Sequence, residues 1–316
     1  MTACVLQGEG NGPTIERWCR LAEVSRAGYY RRWQASAPRR EETGLRDAIQ
    51  RLALAHRRYG YRRIAALLGR EGWQANHKRV LRLMREDNLL CLGRKPFVPV
   101  TTDSRHGWRV VPNLARGMEP CGLDQLWVAD ITYIHLAEAF VYLAVILDAF
   151  SRKVVGWALE RSLASRLTMS ALEQAVATRQ PSPGLVHHSD RGVQYAAADY
   201  VQLLQRHHMI PSMSRPANPY DNASCESFMK TLKREEIYAN AYRDIDHLAV
   251  NIETFIDEYY NQCRLHSALG YRPPDEFERQ PAPGTAANGP AGATVTFFSH
   301  GERYDKPGHD SAGHRP

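Results

Sequence analysis

The chain has 316 residues, of which 43% are hydrophobic and 24% are charged, and this length suits one sizeable core with one or two small satellite domains. Its longest apolar stretch, 140–147, is too short to span a bilayer, and its first residues lack the basic start and apolar run of a secretion signal. The six cysteines are scattered without a CxxC pair, which argues against disulfides and predicts a protein of the reducing cytoplasm.

The net charge of +7 is unevenly distributed along the chain. Residues 1–100 carry 20 Lys and Arg against 9 Asp and Glu, whereas the remaining 216 residues carry 21 against 25. A basic first third on a nearly neutral body predicts that this part of the chain grips a polyanion such as DNA. The alternative is a basic surface that serves only solubility.

The first predicted unit, 1–44, is a small helical segment. Residues 14–35 have the pattern of one or two short helices, and VSRAGYY resembles the turn of a helix-turn-helix unit with Ser25 as the helix cap. A polar break, 36–44, separates this segment from the next one.

Residues 45–95 predict a second helical module. Apolar residues recur at helical spacing in 45–58, and two further helices follow within 58–90, with a Gly-containing turn between them and Asn76 as the cap of the last one. This order is typical of a helix-turn-helix module that reads DNA, although many small helical bundles bind only protein. The candidates for contacts with bases and phosphates are Arg62, Arg63, His77, Lys78, Arg79 and Arg82.

After a Pro-containing linker at 96–119, residues 120–280 predict an α/β domain. Three β-rich runs suggest an antiparallel meander, and the helices and strands that alternate after them give a mixed five-stranded sheet flanked by helices. The runs are LWVADITYIHL, AFVYLAVILDAF, KVVGWAL, SRLTMSALEQAVATR, GLVHHSD, AAADYVQLLQRHH and MIPSM. Residues 281–316 predict a disordered tail in which TVTFFSHGERYD is the one candidate strand.

Three carboxylates carry the chemical hypothesis. Asp130 lies within the first β-rich run, Asp190 follows the fourth strand, and Glu226 lies in a segment with a helical pattern. Each residue alone has an ordinary explanation, as a strand, turn or solvated helix residue. On one face of a sheet, however, the three charges would repel one another and need cations, and two divalent metals held in this way break and join phosphodiester bonds.

Two lysines follow Glu226 on the same helical face. Lys230 and Lys233 come four and seven residues later, so they either form a helical salt-bridge ladder or hold the phosphates of a cleaved DNA end. The loop before this helix ends in Asp221 and Asn222. Either residue could cap the helix or could contact the substrate.

The paired histidines do not indicate zinc. His187 and His188, like His207 and His208, are adjacent, which directs the two rings to opposite sides of a strand and lacks the spacing of zinc ligands. His187 or His188, just before Asp190, is a candidate for orienting a water molecule or a metal ligand.

At these motifs the chain resembles the OrfB-type insertion-sequence transposases of the IS-three group, within the wider superfamily of retroviral integrases. The resemblance extends over roughly residues 15 to 280. The matching stretches are YGYRRIAALL, NHKRVLRLM, WVADITYI, YLAVILDAFSRKVVGWAL, HHSDRGVQY, DNASCESFMKTLKRE and YNQCRLHSALGYRPPDEFE.

The resemblance implies an RNase H-like catalytic fold that cleaves DNA strands and transfers them. Asp130, Asp190 and Glu226 would form an acidic triad that binds two Mg²⁺ or Mn²⁺ ions, and Lys230 and Lys233 would contact DNA. In this group an upstream reading frame normally adds a further helix-turn-helix and a leucine zipper, and this chain has no heptad stretch of its own. Because joining involves two DNA ends, we expect a homo-oligomer on DNA.

Two other functions compete with that of a transposase. A non-catalytic DNA-binding regulator derived from a transposase would keep the helical modules, but it gives no reason for an intact triad. A stand-alone RNase H-like nuclease would cleave without joining, and it gives no role to the two helical units that precede the α/β domain.

Overall fold

The computed structural model describes residues 14–35, 42–91, 111–136, 139–215 and 222–279. The predicted tail at 281–316 with its candidate strand lies outside these ranges, and so does Asp221.

The first helical segment contains two short helices, as its sequence predicts. Helix α1 spans Ile15–Leu21 and α2 spans Arg26–Ala35. The Ser25 hydroxyl accepts a hydrogen bond of 2.9 Å from the backbone N–H of Gly28, which satisfies one of the unpaired N–H groups at the start of α2. The predicted cap is therefore confirmed.

The second module is a three-helix unit with its own core. Its helices are α3 (Thr43–Ala55), α4 (Tyr61–Arg70) and α5 (His77–Glu86). The Asn76 side chain accepts a bond of 2.8 Å from the backbone N–H of Lys78 and so caps α5, as predicted. Apolar residues at helical spacing close the core, which includes Leu45, Ile49, Leu52, Ile64, Leu68, Val80, Leu83 and Met84.

A mixed five-stranded sheet forms the centre of the α/β domain, as predicted. Its strands are β1 (Leu126–His135), β2 (Phe140–Asp148), β3 (Val154–Glu160), β4 (Val186–Ser189) and β5 (Ile210–Met213). The order across the sheet is β3-β2-β1-β4-β5. The first three strands form the antiparallel meander, whereas β4 runs parallel to β1 and β5 runs parallel to β4.

Helices cover both faces of the sheet. One face carries α6 (Ser165–Arg179), α7 (Val193–Ala196) and α8 (Ala198–Arg206), and the other carries α9 (Ala223–Leu232) and α10 (Ile245–Thr254). Helices α9 and α10 continue as π-helical turns at 233–237 and 255–261, and α11 (Pro274–Arg279) follows. Among the described residues, no helix combines the length and apolarity needed to cross a membrane.

The stretch after α10 joins the α/β domain to the three-helix module. Leu265 is buried in the core of that module, and its backbone N–H donates a bond of 3.0 Å to the Tyr59 hydroxyl. The Leu265 carbonyl accepts a bond of 2.9 Å from Arg63 Nε. Arg70 adds two bonds to the Glu276 carboxylate, at 2.9 and 3.1 Å. The two units are therefore fastened by main-chain and side-chain contacts.

Candidate active site

The sheet brings Asp130 and Asp190 to the same level on neighbouring strands. Asp130 lies in the middle of β1, which is the central strand, and Asp190 directly follows β4. The parallel register pairs Val128 with His188, and the same offset carried two residues further sets Asp190 beside Asp130. The carboxyl end of a parallel strand is where such sheets present functional groups.

The pKa of Asp130 is affected by the charges of both other candidate carboxylates. Burial raises the pKa of the Asp130 carboxyl to about 7, and the negative charge of Asp190 is the next largest cause. The backbone N–H of Ile131, 2.9 Å from Asp130 Oδ1, opposes the rise, while Glu226 adds to it and Lys233 lowers the pKa. Like charges that oppose one another's ionisation mark a site that favours a bound cation.

The Cys225 thiol gives a second view of the same cluster. Burial raises its pKa well above the ordinary value, and the charges of Asp130, Asp190 and Glu226 raise it further. Cys225 lies in α9 against β1, with its sulfur 3.8 Å from the Val128 carbonyl. The Cys225 thiol therefore lies close enough to the three candidate carboxylates for their charges to affect its pKa.

Local hydrogen bonds position Asp190 in its loop. Its Oδ1 accepts a bond of 2.9 Å from the backbone N–H of Gly192, which closes a tight turn after β4. Arg191 donates a bond of 2.7 Å from Nε to the Ser214 carbonyl, and this bond ties the same turn to the end of β5. These two hydrogen bonds fix the path of the backbone in the turn that contains Asp190.

Glu226 lies in the first turn of α9, and in this structure it pairs with Lys230. The Lys230 ammonium is 3.2 Å from Glu226 Oε2, with side chains that are 72% and 34% exposed. This is the helical ion pair that the sequence offered as one of two alternatives for these lysines. Because an exposed i, i+4 pair contributes little free energy, it breaks easily when another ligand arrives.

Lys233 has a different environment, one turn further along the same helical face. Its Nζ is 4.9 Å from the centre of the Tyr133 ring, a cation–π contact at the edge of β1. Burial lowers the pKa of the Lys233 ammonium, and the charge of Asp130 acts in the opposite direction. Lys233 is therefore part of the charge balance of the candidate site.

The donor set suits a hard divalent cation, although the side chains are not closed around one. Within the part of the chain that is described, no three His, Cys, Asp or Glu side chains lie close enough together to hold a metal. Carboxylate oxygens are the ligands that Mg²⁺ and Mn²⁺ prefer, and the raised pKa of Asp130 shows that its charge is poorly compensated. In this structure Asp130 and Asp190 affect one another's ionisation, whereas Glu226 is paired with Lys230.

Asn222 is a positioning residue whose role the sequence did not reveal. Its side chain does not cap α9. Instead, the buried Asn222 Nδ2 donates a bond of 2.9 Å to the carbonyl of Ala129, the residue before Asp130. The start of the helix that carries Glu226 is thereby tied to the strand that carries Asp130. A short amide residue before a helix is the only sequence signal, and it also fits an ordinary cap.

The two histidines before Asp190 face opposite sides, as predicted from their adjacency. His187 Nε2 is 3.0 Å from the Tyr200 hydroxyl of α8, and burial lowers the pKa of His187 to about 3, so the ring is neutral. The ring nitrogens of His188 lie 2.9 and 3.0 Å from the hydroxyls of Ser212 and Ser214. These bonds hold β4 against α8 and β5, and so fix where Asp190 emerges.

Comparisons with known proteins match the same regions. Two family models described as integrase core domain match residues 123–219 and 207–274, and one described as HTH-like domain matches residues 39–97. The first integrase match contains Asp130 and Asp190, and the second contains Glu226.

Relatives of similar length are transposases of insertion sequences. The chain is 37% identical to the transposase for insertion sequence element IS904 of Lactococcus lactis, over 74% of this chain and 93% of that protein. It is 33% identical to the transposase InsF for insertion sequence IS3A of Escherichia coli, over 84% and 94%. An IS600 protein of 31 kDa from Shigella sonnei is 36% identical, over 83% and 97%. The chain belongs to the IS3 family of transposases.

Solved structures that match this IS3-family chain include a simian T-cell lymphotropic virus intasome, with 17% identity, a TM-score of 0.44 and coverage of 79% and 80% of the two chains. The HTLV-2 integrase catalytic core domain in complex with magnesium matches with 18% identity and a TM-score of 0.36, over 46% of this chain and 91% of that one.

In the HTH-like domain of this IS3-family chain, three of the six predicted DNA-binding residues are exposed and form no ion pair within the described ranges. His77 and Lys78 are exposed in the first turn of α5, and Arg62 is exposed on α4 over the Tyr61 ring, at 5.0 Å. Side chains at the start of a second helix are placed where a helix-turn-helix module meets base edges and phosphates.

The other three predicted DNA-binding residues have protein partners. Arg79 and Arg82 approach the buried Glu42 carboxylate at 3.4 and 2.6 Å, which brings two guanidinium groups to one anion. Arg63 faces Leu265 at the junction of the two units, where burial lowers the pKa of its guanidinium. The sequence could not reveal these partners because they depend on residues that are distant in the chain.

Proposed function

We propose that this chain is the catalytic transposase of an insertion sequence, which cleaves DNA strands and transfers them by a DDE-type, metal-dependent reaction. Asp130, Asp190 and Glu226 would hold two Mg²⁺ or Mn²⁺ ions. The observation that carries the proposal is the position of Asp130 on β1 and of Asp190 directly after the adjacent parallel strand β4, where both aspartates and Glu226 share one electrostatic cluster. Bound divalent ions supply Lewis acidity to an attacking oxygen and to the phosphate.

The chain's own residues hold the carboxylates for that chemistry in different ways. Asp130 is fixed by the central strand and by the N–H of Ile131, and Asp190 by the N–H of Gly192. Glu226 is mounted on α9, whose first turn Asn222 ties to β1. Its carboxylate becomes available once Lys230 turns away.

The same movement gives Lys230 a role with DNA. An ammonium that is 72% exposed and weakly paired is free to approach a phosphate, and a phosphate offers it a stronger charge-assisted bond than Glu226 does. Lys233, already half-buried beside Tyr133, would contact the strand nearer to Asp130. We propose that these two lysines hold the cleaved DNA end.

The HTH-like domain would hold transposon DNA outside the reaction centre. Exposed His77, Lys78 and Arg62, which form no ion pair among the described residues, would make this contact, and Arg63, Arg79 and Arg82 would add to it by changing partners. Because two DNA ends are joined in one event, we propose that the chain works as a homo-oligomer on DNA. An upstream-frame protein with a helix-turn-helix and a leucine zipper, or a fusion to it, would complete end recognition.

Variants of the triad test this function directly. In a cleavage and joining assay with cognate ends, Mg²⁺ and the upstream partner, Asp130→Asn, Asp190→Asn and Glu226→Gln should each lower the rate by at least about 10³-fold, because each removes a metal ligand. DNA binding measured in EDTA should change less than about threefold.

Glu173→Gln is the matched control, because it neutralises an exposed carboxylate on α6, on the other face of the sheet. Its cleavage and joining should equal those of the wild type. Full strand transfer by any triad variant would contradict the assignment. A wild type that binds DNA but stays silent with partner, metal and cognate ends would favour a non-catalytic regulator instead.

A further inference from the structure

A basic cleft lies at the junction between the three-helix module and the α/β domain. It consists of two adjoining hollows of about 120 and 220 Å³, and both are lined by Arg63, Ser227, Thr231 and Arg264. We call it the junction cleft. Its charged lining residues are Arg58, Arg63, Arg152, Lys230, Arg234, Arg264 and Glu235.

The positive charge of the junction cleft is largely uncompensated. Glu235 is the one carboxylate in its lining, and it is already occupied by Arg264, at 2.8 and 3.0 Å, and by the Tyr259 hydroxyl at 2.8 Å. The side chains of Arg58 and Arg152 form no hydrogen bond or ion pair with any residue in the described ranges. Lys230 is paired with Glu226, which lies outside this lining, and the other five cations face one carboxylate that is already engaged, so the cleft attracts a polyanion.

His266 lines the junction cleft, and the positive charges around it affect the pKa of its ring. Burial, followed by the positive charges of Arg264, Arg63 and Arg152, lowers its pKa to about 3. Its Nε2 is buried and has no hydrogen-bond partner within the described part of the chain. The cleft therefore contains an unsatisfied polar group as well as excess positive charge.

Arg152 reaches the cleft from a backbone position that does not favour arginine. It lies in the turn between β2 and β3 with φ at +62°, in the left-handed region where Gly or Asn is the usual residue. A non-glycine residue there costs about 1 kcal/mol. The backbone conformation would favour glycine at this position, so we attribute the arginine to what its side chain does in the cleft.

The junction cleft borders the candidate active site through α9. Three residues with helical spacing line the cleft: Ser227, Thr231 and Arg234. Each of them comes one position after a residue of the candidate site, namely Glu226, Lys230 or Lys233. One side of the same helix therefore faces the acidic cluster, and the adjacent side faces the basic cleft. A strand that passes over α9 would meet both.

We infer that the junction cleft binds the phosphodiester backbone of the DNA whose cleaved end reaches the triad. Guanidinium groups form bidentate bonds with phosphate oxygens, and hydroxyls such as those of Ser227, Thr231 and Ser267 are common partners of DNA phosphates. The proposal rests on the proposed function, and it adds that the docked module and α9 clamp one DNA segment together. A DNA backbone suits this lining better than an acidic protein segment does, because the arginines stand beside hydroxyl groups on α9, the helix that also carries Glu226.

Salt-dependent DNA binding tests the inference. The probe is a fluorescein-labelled duplex of 30 base pairs, titrated with the full chain in EDTA at several salt concentrations, so that catalysis plays no part. Loss of one phosphate contact lowers the slope of log Kd against log salt by about 0.9. The double variant Arg58→Ala/Arg152→Gly should therefore lower the slope by about 2 and weaken binding roughly tenfold at low salt.

Matched variants separate this contact from general charge and from misfolding. Arg206→Ala removes an exposed arginine from α8, on the far face of the sheet, and should leave the slope unchanged. Arg152→Lys keeps the charge and should keep the slope, and Arg152→Gly should melt no lower than the wild type because glycine tolerates the positive φ.

Three results would overturn the inference: an unchanged slope in the double variant, an equal loss in Arg206→Ala, or unchanged DNA binding together with lost binding of poly-glutamate. The last result would assign the cleft to an acidic protein segment. Because the assay runs without metal, it can fail while the triad variants still abolish strand transfer, and it can succeed on a chain that proves catalytically silent.

Discussion

Asp130 lies where burial and two neighbouring carboxylates oppose its ionisation. Its pKa is about 7 in the folded chain, against an ordinary value of 3.8. Between these two values the unfolded chain loses the proton while the folded chain keeps it. The free energy of unfolding therefore falls as the pH rises from about 4 to about 7, by about 1.4 kcal/mol for each unit of pKa difference.

Asparagine at position 130 cannot ionise, and its side-chain oxygen can keep the bond to the N–H of Ile131. In EDTA at pH 8 we expect Asp130→Asn to melt at a higher temperature than the wild type, and the difference should vanish near pH 4. Added Mg²⁺ should raise the melting temperature of the wild type at pH 8 and leave that of the variant unchanged. Asp199→Asn, at an exposed position, is the control.

Thermal unfolding followed by circular dichroism across this pH range measures the effect. A variant that is less stable than the wild type at pH 8, or a difference that does not depend on pH, would contradict the assigned environment of Asp130.

The sequence suggests candidate residues for the site, but it does not indicate the contacts that hold them. The three carboxylates and the two lysines follow from motif and helical spacing, and one of the two alternatives for Lys230, its pair with Glu226, is present. The bond from Asn222 to Ala129 joins residues 93 positions apart. No local pattern encodes such a contact, because it depends on how α9 packs against β1.

At the scale of elements, periodicity located the strands and helices well. The segment 165–179 is α6 as predicted, and the three β-rich runs form the antiparallel meander. The position of β4 beside β1 and the π-helical turn after α9 were not predicted. Strand order depends on pairing between distant segments, and the π-helical turn depends on what the end of the helix packs against.

Gly156 allows α6 to lie directly against β3. A Cβ atom at this position would be 2.3 Å from the Ala171 carbonyl oxygen and 2.7 Å from the Ala175 Cβ, and neither the helix backbone nor a methyl group can turn aside. We expect Gly156→Ala to lower the free energy of unfolding by about 3 kcal/mol, because overpacking forces the layers apart.

Gly69→Ala is the matched control. Its added methyl group would meet nothing within 4 Å, and it lies within α4, where alanine favours the helix over glycine by about 1 kcal/mol. Urea unfolding of the two variants should therefore give changes of opposite sign. Equal stability of Gly156→Ala and the wild type would refute the close packing of α6 on β3.

At the scale of the whole molecule, the stretch after α10 fastens the HTH-like domain to the α/β domain. The sequence predicted both units, whereas the contact between Leu265 and Tyr59 links residues 206 positions apart and has no local signature. The junction cleft exists only because of this docking, since Arg58 and Arg63 come from one unit and Arg152 and Arg264 from the other.

Tyr59→Phe tests this docking. It removes the acceptor of the buried Leu265 N–H and should cost about 1–3 kcal/mol. The loss falls on the contact between the units, so calorimetry should show the HTH-like domain melting earlier and more separately than in the wild type. Tyr238→Phe, at a position that is 67% exposed, should leave the thermogram unchanged. An unaltered transition in Tyr59→Phe would mean that this bond contributes nothing to the docking.

The most direct test of the central claim is to locate bound Mn²⁺ by anomalous X-ray scattering in crystals of the chain with a cleaved DNA end. We predict Mn²⁺ between Asp130 and Asp190, with Glu226 released from Lys230 and turned toward the metal, and no such signal in Asp130→Asn. Mn²⁺ bound elsewhere, or strand transfer by a chain whose three carboxylates hold no metal, would contradict it.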